Sequence, residues 1–362
     1  MNRFGFIIHP LEIDDFARKF SWAEKVPDSF IEKLTRVMPP VKASHITGVR
    51  SKTGKEIEGY FIGVTLTSKQ MLTLPTDKVL KKIIKAGKKA QELGCQIIGL
   101  GAFTSVIGDK GITIARELDV PVTTGNSYTV ATAIEGTKLA AAKMGHNLKE
   151  VMVTVIGATG SIGRAVSLIL GQDLHNLQLV ARNLEKLRNL REEIIQLNPG
   201  INLSCTTDIA AAVKISQVII SASGAVESLI MPSDLQPGAV VCDVARPRDV
   251  AGKVARERDD VLVIEGGIVE VPGPVNFNFN FGYPPKTSYA CMAETMMLAL
   301  EDRFEDYSLG PVLEIEKVKE TMAMARKHGF KLAGLRSFER ALSEDKIAEI
   351  RKRAEKKLIA TC

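Results

Sequence analysis

The chain has 362 residues, 45% hydrophobic and 25% charged, with a formal net charge of +6; this suits a soluble globular protein of about two domains. Its five cysteines (95, 205, 242, 291 and 362) form no C-x-x-C pair and no Cys/His ligand spacing, which argues against structural zinc and a disulfide framework and for a reducing compartment. No apolar run reaches the ~18 residues of a membrane span, and "MNRFGFIIHPLEIDDF" is too acidic for a signal peptide, so the expectation is a cytoplasmic protein, at most in peripheral contact with a membrane.

In chain order, residues 4–8 and 57–66 ("IEGYFIGVTL") read as strands, and "RSKTGKEIEG" between apolar runs gives a hairpin signal. "TDKVLKKIIKAGKKAQELG" places Val79, Leu80, Ile83, Ile84 and Leu93 at helical spacing, with a Thr/Asp cap and a stop at Gly94. "CQIIGLGAFTSVIG" reads as a buried strand entering a Gly/Ser/Thr loop. "VPVTTGNSYTVATAIEGTKLAAAKMG" reads as strand, polar turn and alanine-rich helix. Phe103, Thr104, Ser105, Asn126 and Ser127 thus follow short strands, where α/β sheets place ligand clefts, although ordinary connecting loops fit as well. Between 151 and 267 the strands "VMVTVI", "LQLV", "VIISAS", "AVVCDVA" and "VLVIEGG" alternate with helical segments, as in a parallel sheet buried on both faces. From 288 the chain reads as helical to its end.

The sharpest motif is "VMVTVIGATGSIGRAVSLIL". A buried strand enters Gly157, Ala158, Thr159, Gly160, Ser161, Ile162 and Gly163, then an apolar helix. Gly157 permits a tight turn, Gly160 lets the backbone approach a pyrophosphate, and Gly163 lets helix and strand pack closely. The next strand ends in Ala181-Arg182-Asn183 rather than in the acid that would bind a ribose 2′-hydroxyl. Arg182 suits a 2′-phosphate, so NADPH is the expected cofactor. His9, His45, His146, His175 and His328 make no triad or metal spacing, and no nucleophile elbow occurs.

"PPKTSYACMAETMMLAL", residues 284–300, sets Cys291 near the start of an apolar helix. Thr287 or Ser288 is the candidate N-cap. Cys291 then falls in the first turn, where the helix dipole, with Lys286 nearby, favours thiolate. Beside Met292, Ala293 and Met296, however, a lone cysteine is more often core packing. Cys95, Cys205 and Cys242 read as core or strand residues, and Cys362 as terminal. The whole basic excess lies in residues 316–362, with 13 Lys/Arg against 7 Asp/Glu. Within 343–360, Ile347, Ile350, Ala354 and Leu358 form an apolar helix face, leaving Lys352, Arg353, Lys356 and Lys357 in water. Such a tail suits an acidic partner, phosphates or a membrane surface, or is simply solvated. Without interleaved aromatics or a binding motif, nucleic acid is not expected.

Across residues 45–330 the segments "GKEIEGYF", "GLGAFTS", "TTGNSYT", "GATGSIGRAV", "LVARN", "EGGIVE", "YACMAE" and "KHGF" make the chain resemble the long-chain fatty acyl–acyl carrier protein reductases of cyanobacteria. The resemblance implies NADPH-dependent reduction of a fatty acyl thioester to a fatty aldehyde, with Cys291 as nucleophile and acyl carrier protein or acyl-CoA as carrier. "NFNFNFGYPPK" and the chain beyond about 331 depart from it. The expected organisation is an N-terminal α/β substrate domain (1–145), a Rossmann-type doubly wound NADP-binding domain (146–275) and a helical C-terminal segment (276–362) bearing Cys291. Two other readings stay open: a shikimate- or methylene-tetrahydrofolate-type dehydrogenase, which needs no thiol, and a non-catalytic NADP(H)-sensing protein.

Overall fold

A computed structural model describes residues 1–17, 26–225, 227–245, 247–280, 282 and 284–361; Cys362 lies outside the described residues. The chain opens with β1 (Asn2–Ile8), α1 (Ile13–Ala17) and α2 (Asp28–Val37). The expected hairpin is present as β2 (Val41–Arg50) antiparallel to β3 (Glu56–Gly63). α3 (Ser68–Thr73) starts in a capping box between Thr67 and Gln70. α4 (Thr76–Glu92) follows Pro75 with no side-chain cap, contrary to the Thr/Asp expectation. Proline at that position already sets the φ a helix entry needs. Gly94, at φ +78°, closes it as expected. Then come β4 (Ile97–Leu100), a 3₁₀ turn at Ala102–Ser105, α5 (Ile112–Arg116), β5 (Val122–Thr123) and α6 (Asn126–Lys143). These strands form one sheet in the order β2-β3-β1-β4-β5, parallel except at β2. Val79, Ile83, Ala86 and Ala90 of α4 pack on one face of it.

The second run is β6 (Val153–Ile156), α7 (Ser161–Gly171), β7 (Asn176–Val180), α8 (Leu184–Leu197), β8 (Asn202–Thr206), α9 (Ile209–Lys214), β9 (Val218–Ser221), β10 (Val240–Asp243), α10 (Val254–Glu257) and β11 (Leu262–Glu265). All six strands are parallel, in the order β11-β10-β9-β6-β7-β8. This is the doubly wound Rossmann order, reversing between β6 and β9. Every residue of β6, β9, β10 and β11 is buried.

The remainder comprises β12 (Ile268–Glu270), β13 (Thr287–Tyr289), α11 (Ala290–Leu300), α12 (Ile315–His328), β14 (Lys331–Leu332), β15 (Arg336–Ser337), β16 (Arg340–Ala341) and α13 (Glu344–Thr361). The all-helical expectation past 288 is therefore corrected: Gly329 ends α12 at φ +93°, and short strands intervene before α13. In "NFNFNF", Asn276 exchanges backbone bonds with Thr47 while Phe277 stacks on Phe61, so this segment covers the edge strand β2. Two compact units result: 1–128 with 269–331, and 129–268 with 332–362. The expected boundaries 1–145, 146–275 and 276–362 give way to this division. α11 packs back on β1 and β4 of the first unit, whereas α13 belongs to the second. Among the described residues no helix is long and apolar enough to cross a membrane.

Candidate functional site

In the second unit, β6 delivers the glycine loop to the switch point of the sheet. A Cβ at Gly157 would lie 2.6 Å from the Ala222 carbonyl oxygen, and one at Gly163 would lie 2.2 Å from that of Gly157. A Cβ at Gly160 would meet Gly157 O at 3.2 Å and Ala222 O at 3.9 Å, leaving its outer side open to a phosphate. The N–H groups of Gly157 and Ala158 bind the Val180 carbonyl, and that of Gly160 binds Gly157. Those of Ser161, Ile162 and Gly163 form the first turn of α7, where no intrahelical acceptor exists and an anion is favoured. Thr159 lies half-buried at the crest of the loop. The cradle therefore fits a dinucleotide pyrophosphate.

Arg182 is exposed directly after β7. Asn183, expected at the cofactor, uses its side-chain oxygen to cap α8, accepting from Lys186 N–H at 2.9 Å. Lys186 is exposed in the first turn of α8, four residues after Arg182. The asparagine cap was the signal that could have located it. Asp249 was missed altogether. It is fully buried and takes hydrogen bonds from Ser221 Oγ (2.6 Å), Ser223 N (3.0 Å) and Ser223 Oγ (2.5 Å). It thus fixes the turn after β9 against which Gly157 packs.

In the first unit, the loops after β1, β4 and β5 gather at the C-terminal edge of the sheet. His9 is held between two backbone groups: Nε2 accepts from Phe103 N–H (3.1 Å) and Nδ1 donates to Pro10 O (2.9 Å). Burial pushes its pKa down to about 4, so it is neutral at physiological pH. Phe103, Thr104, Ser105, Asn126 and Ser127 are all buried. Thr104 and Ser105 bond back to the carbonyls of Gly101 and Ala102, and Ser127 pairs with Ser308, so these hydroxyls shape the loops rather than line a cleft.

Cys291 is the second residue of α11. The N-cap is Tyr289, without a side-chain bond; Thr287 and Ser288 belong to β13 and cap nothing. Every residue of α11 is buried except Cys291, which is half-buried. Gly125, at φ +72°, runs directly over it: a Cβ there would lie 2.2 Å from Cys291 Cα. One turn further along, Glu294 is fully buried and accepts from Thr123 Oγ1 (2.5 Å) and Tyr128 N–H (2.8 Å). Burial raises its pKa against the hydrogen bonds from Thr123, Tyr128, Ser308 and Ser127. This carboxyl fastens the thiol's helix to the turn that carries Gly125. By contrast Cys95 is buried, its pKa pushed up to about 12, and burial also raises Cys205; Cys242 is fully buried in β10. No group of residues that could hold a metal occurs among the described residues.

A sheet of this order with this glycine cradle defines an NAD(P)-binding Rossmann oxidoreductase. The Shikimate / quinate 5-dehydrogenase family matches residues 138–265. The long-chain acyl-[acyl-carrier-protein] reductase of Synechococcus elongatus is 30% identical over 344 residues, covering 90% of this chain and 98% of that protein. The chain belongs to the family of that reductase. The aminotransferase PigE of a Serratia species is 29% identical over 367 residues, 97% of this chain; the chain spans 42% of PigE's length. Quinate dehydrogenase from Corynebacterium glutamicum, solved with NAD, is 11% identical, with 89% of this chain and 98% of that one covered and a TM-score of 0.39.

Proposed function

We propose that the chain reduces a fatty acyl thioester, carried by acyl carrier protein or by CoA, to the fatty aldehyde with NADPH through an acyl-enzyme on Cys291. One observation carries this reading: Cys291 alone interrupts an otherwise buried helix, in the first turn, where a thiolate is favoured. The thiolate attacks the acyl carbonyl carbon; a C–S bond forms to Cys291, and the carrier leaves as its thiolate, which takes a proton. NADPH held by the 157–163 cradle would supply the hydride that reduces this carbon. The resulting hemithioacetal loses its Cys291–carbon bond, releasing aldehyde and regenerating the thiolate. The balance is acyl thioester, NADPH and a proton giving aldehyde, carrier thiol and NADP⁺.

The chain's residues divide the work. The cradle 157–163 holds the pyrophosphate, Arg182 and Lys186 favour the 2′-phosphate of NADPH over NADH, and Glu294 and Gly125 position the thiol. The test is purified protein, NADPH and acyl thioesters on both carriers, with aldehyde and NADPH oxidation measured together. One aldehyde per NADPH supports the reading. Cofactor binding without thioester turnover contradicts it and favours an NADP(H) sensor. The shikimate-type reading gains support only for the cofactor half, because its match ends at residue 265, before Cys291; turnover that survives Cys291→Ala would revive it.

A further inference from the structure

The tail that holds the basic excess of the sequence has many of its cations paired where it folds. On α13, Arg353 binds Asp259 and Glu349, Lys357 binds Asp259 and Asp260, and Arg351 binds Glu355. The cations of the first unit are arranged otherwise. α4 carries Lys78, Lys81, Lys82, Lys85, Lys88 and Lys89, with Asp77 and Glu92 its only acids. Its apolar residues Val79, Ile83, Ala86 and Ala90 fix the side that faces the sheet. Lys78, Lys81, Lys85 and Lys88 therefore form an exposed row at i, i+3, i+7 and i+10, spanning about 15 Å at 1.5 Å per residue.

Among the described residues, this row has one carboxylate in ion-pair range, Asp77 at 3.8 Å from Lys81, with both side chains exposed. Like charges three or four residues apart on a helix repel. Lys78–Lys81, Lys81–Lys85 and Lys85–Lys88 are all such pairs. Lys82, turned inward onto the carbonyls of Thr35 and Met38, feels the same repulsion: burial and the charge of Lys85 bring its pKa down to about 8. α4 also begins at the edge of the sheet where the Cys291 loops gather, since Leu80 packs against Gly108 in the loop that follows β4.

We propose that the α4 lysine row docks an acidic protein surface and, resting on the Cys291 reading above, that this protein is the acyl carrier. A row of separated positive charges about 15 Å long matches acids spread over a protein surface rather than a single anion. A CoA phosphate instead needs donors converging on one point, as in the 157–163 cradle. A membrane-inserting face would carry exposed large apolar side chains, and α4 has none.

The test compares Lys78→Glu/Lys81→Glu/Lys85→Glu/Lys88→Glu with a control, Lys352→Glu/Lys356→Glu on α13, both in the full chain and both checked for native melting. Carrier affinity is measured directly, without turnover, and KM is measured for acyl-carrier and acyl-CoA substrates. The expected result is carrier affinity weakened at least roughly tenfold at low salt, with the difference fading near about 0.5 M salt. KM for acyl-CoA and kcat should hold, and the control should bind normally. Should the charge reversals unfold the chain, the same four Lys→Gln changes serve. Unchanged carrier affinity overturns the proposal. So does an equal loss with acyl-CoA, which would mark a phosphate site, or α4-dependent binding to phosphatidylglycerol vesicles with none to the carrier. Carrier binding through α4 without aldehyde would sink the reductase reading and leave the docking surface standing.

Discussion

A methyl group on residue 125 would penetrate the backbone of Cys291, 2.2 Å from its Cα, so Gly125 determines whether the thiol's turn can close. Gly125→Ala also forces an alanine into the left-handed region, costing about 1–2 kcal/mol before the clash is counted. The expected outcome is a lower melting temperature and acylation of Cys291 slowed more than about tenfold, measured by single-turnover mass spectrometry. Glu294→Gln leaves one oxygen acceptor for the donors of Thr123, Tyr128, Ser127 and Ser308, and an unmet buried donor costs about 1–3 kcal/mol; denaturant unfolding should register a loss of that size. His9 is held neutral with its pKa near 4, so the unfolded chain binds its proton more readily. Native stability should fall as pH drops from about 6.5 towards 4, by at most about 3.5 kcal/mol at about 1.4 per pKa unit. His9→Gln should flatten that part of the pH–stability curve, and an unaltered slope would remove His9 as its source. The sequence placed Cys291 in the first turn of a helix, and α11 has it there. It could not disclose Glu294, because a buried carboxylate reveals its partners only once Thr123 and Tyr128 are folded against it.

At the level of elements, the strand–loop–helix at 151–170 was legible because each glycine answers a steric demand that spacing alone expresses. Gly163→Ala places a methyl 2.2 Å from the Gly157 carbonyl oxygen; NADPH affinity should drop at least about tenfold, as followed by cofactor fluorescence. Arg182→Asp and Lys186→Glu should each weaken NADPH more than NADH, narrowing the preference, whereas equal losses for both cofactors would place these residues away from the 2′-phosphate. β8 escaped notice because it is an edge strand whose residues Asn202 and Ser204 are exposed, so no continuous apolar run marks it. The hydroxyls of "GLGAFTS" looked available to a ligand, yet Thr104 and Ser105 bond their own turn, a local competition that composition does not reveal. The cap before α11 failed for a related reason: Thr287 and Ser288 are drawn into β13, and strand pairing outweighs their capping preference.

For the whole molecule, the two α/β layers could be read from alternation, but the division of the C-terminal segment could not. α11 returns to the first unit because its nearly all-buried surface needs a sheet to cover it, and α13 joins the second through Ile347, Ile350 and Ala354, while Leu358 stays 45% exposed, outside the packed face. Such long-range choices leave no periodic trace. Net charge misled in the same way: sequence counting located the cations in the tail, whereas folding pairs many of them and leaves the α4 row facing solvent. A covalent role of Cys291 is tested by peptide mass mapping after the native protein meets an acyl thioester without NADPH. The expected result is one acyl group on the peptide bearing Cys291, discharged as aldehyde when NADPH is added and absent from a folded Cys291→Ala chain. Aldehyde formed at the native rate by that variant, or an acyl group that NADPH never discharges, would contradict it.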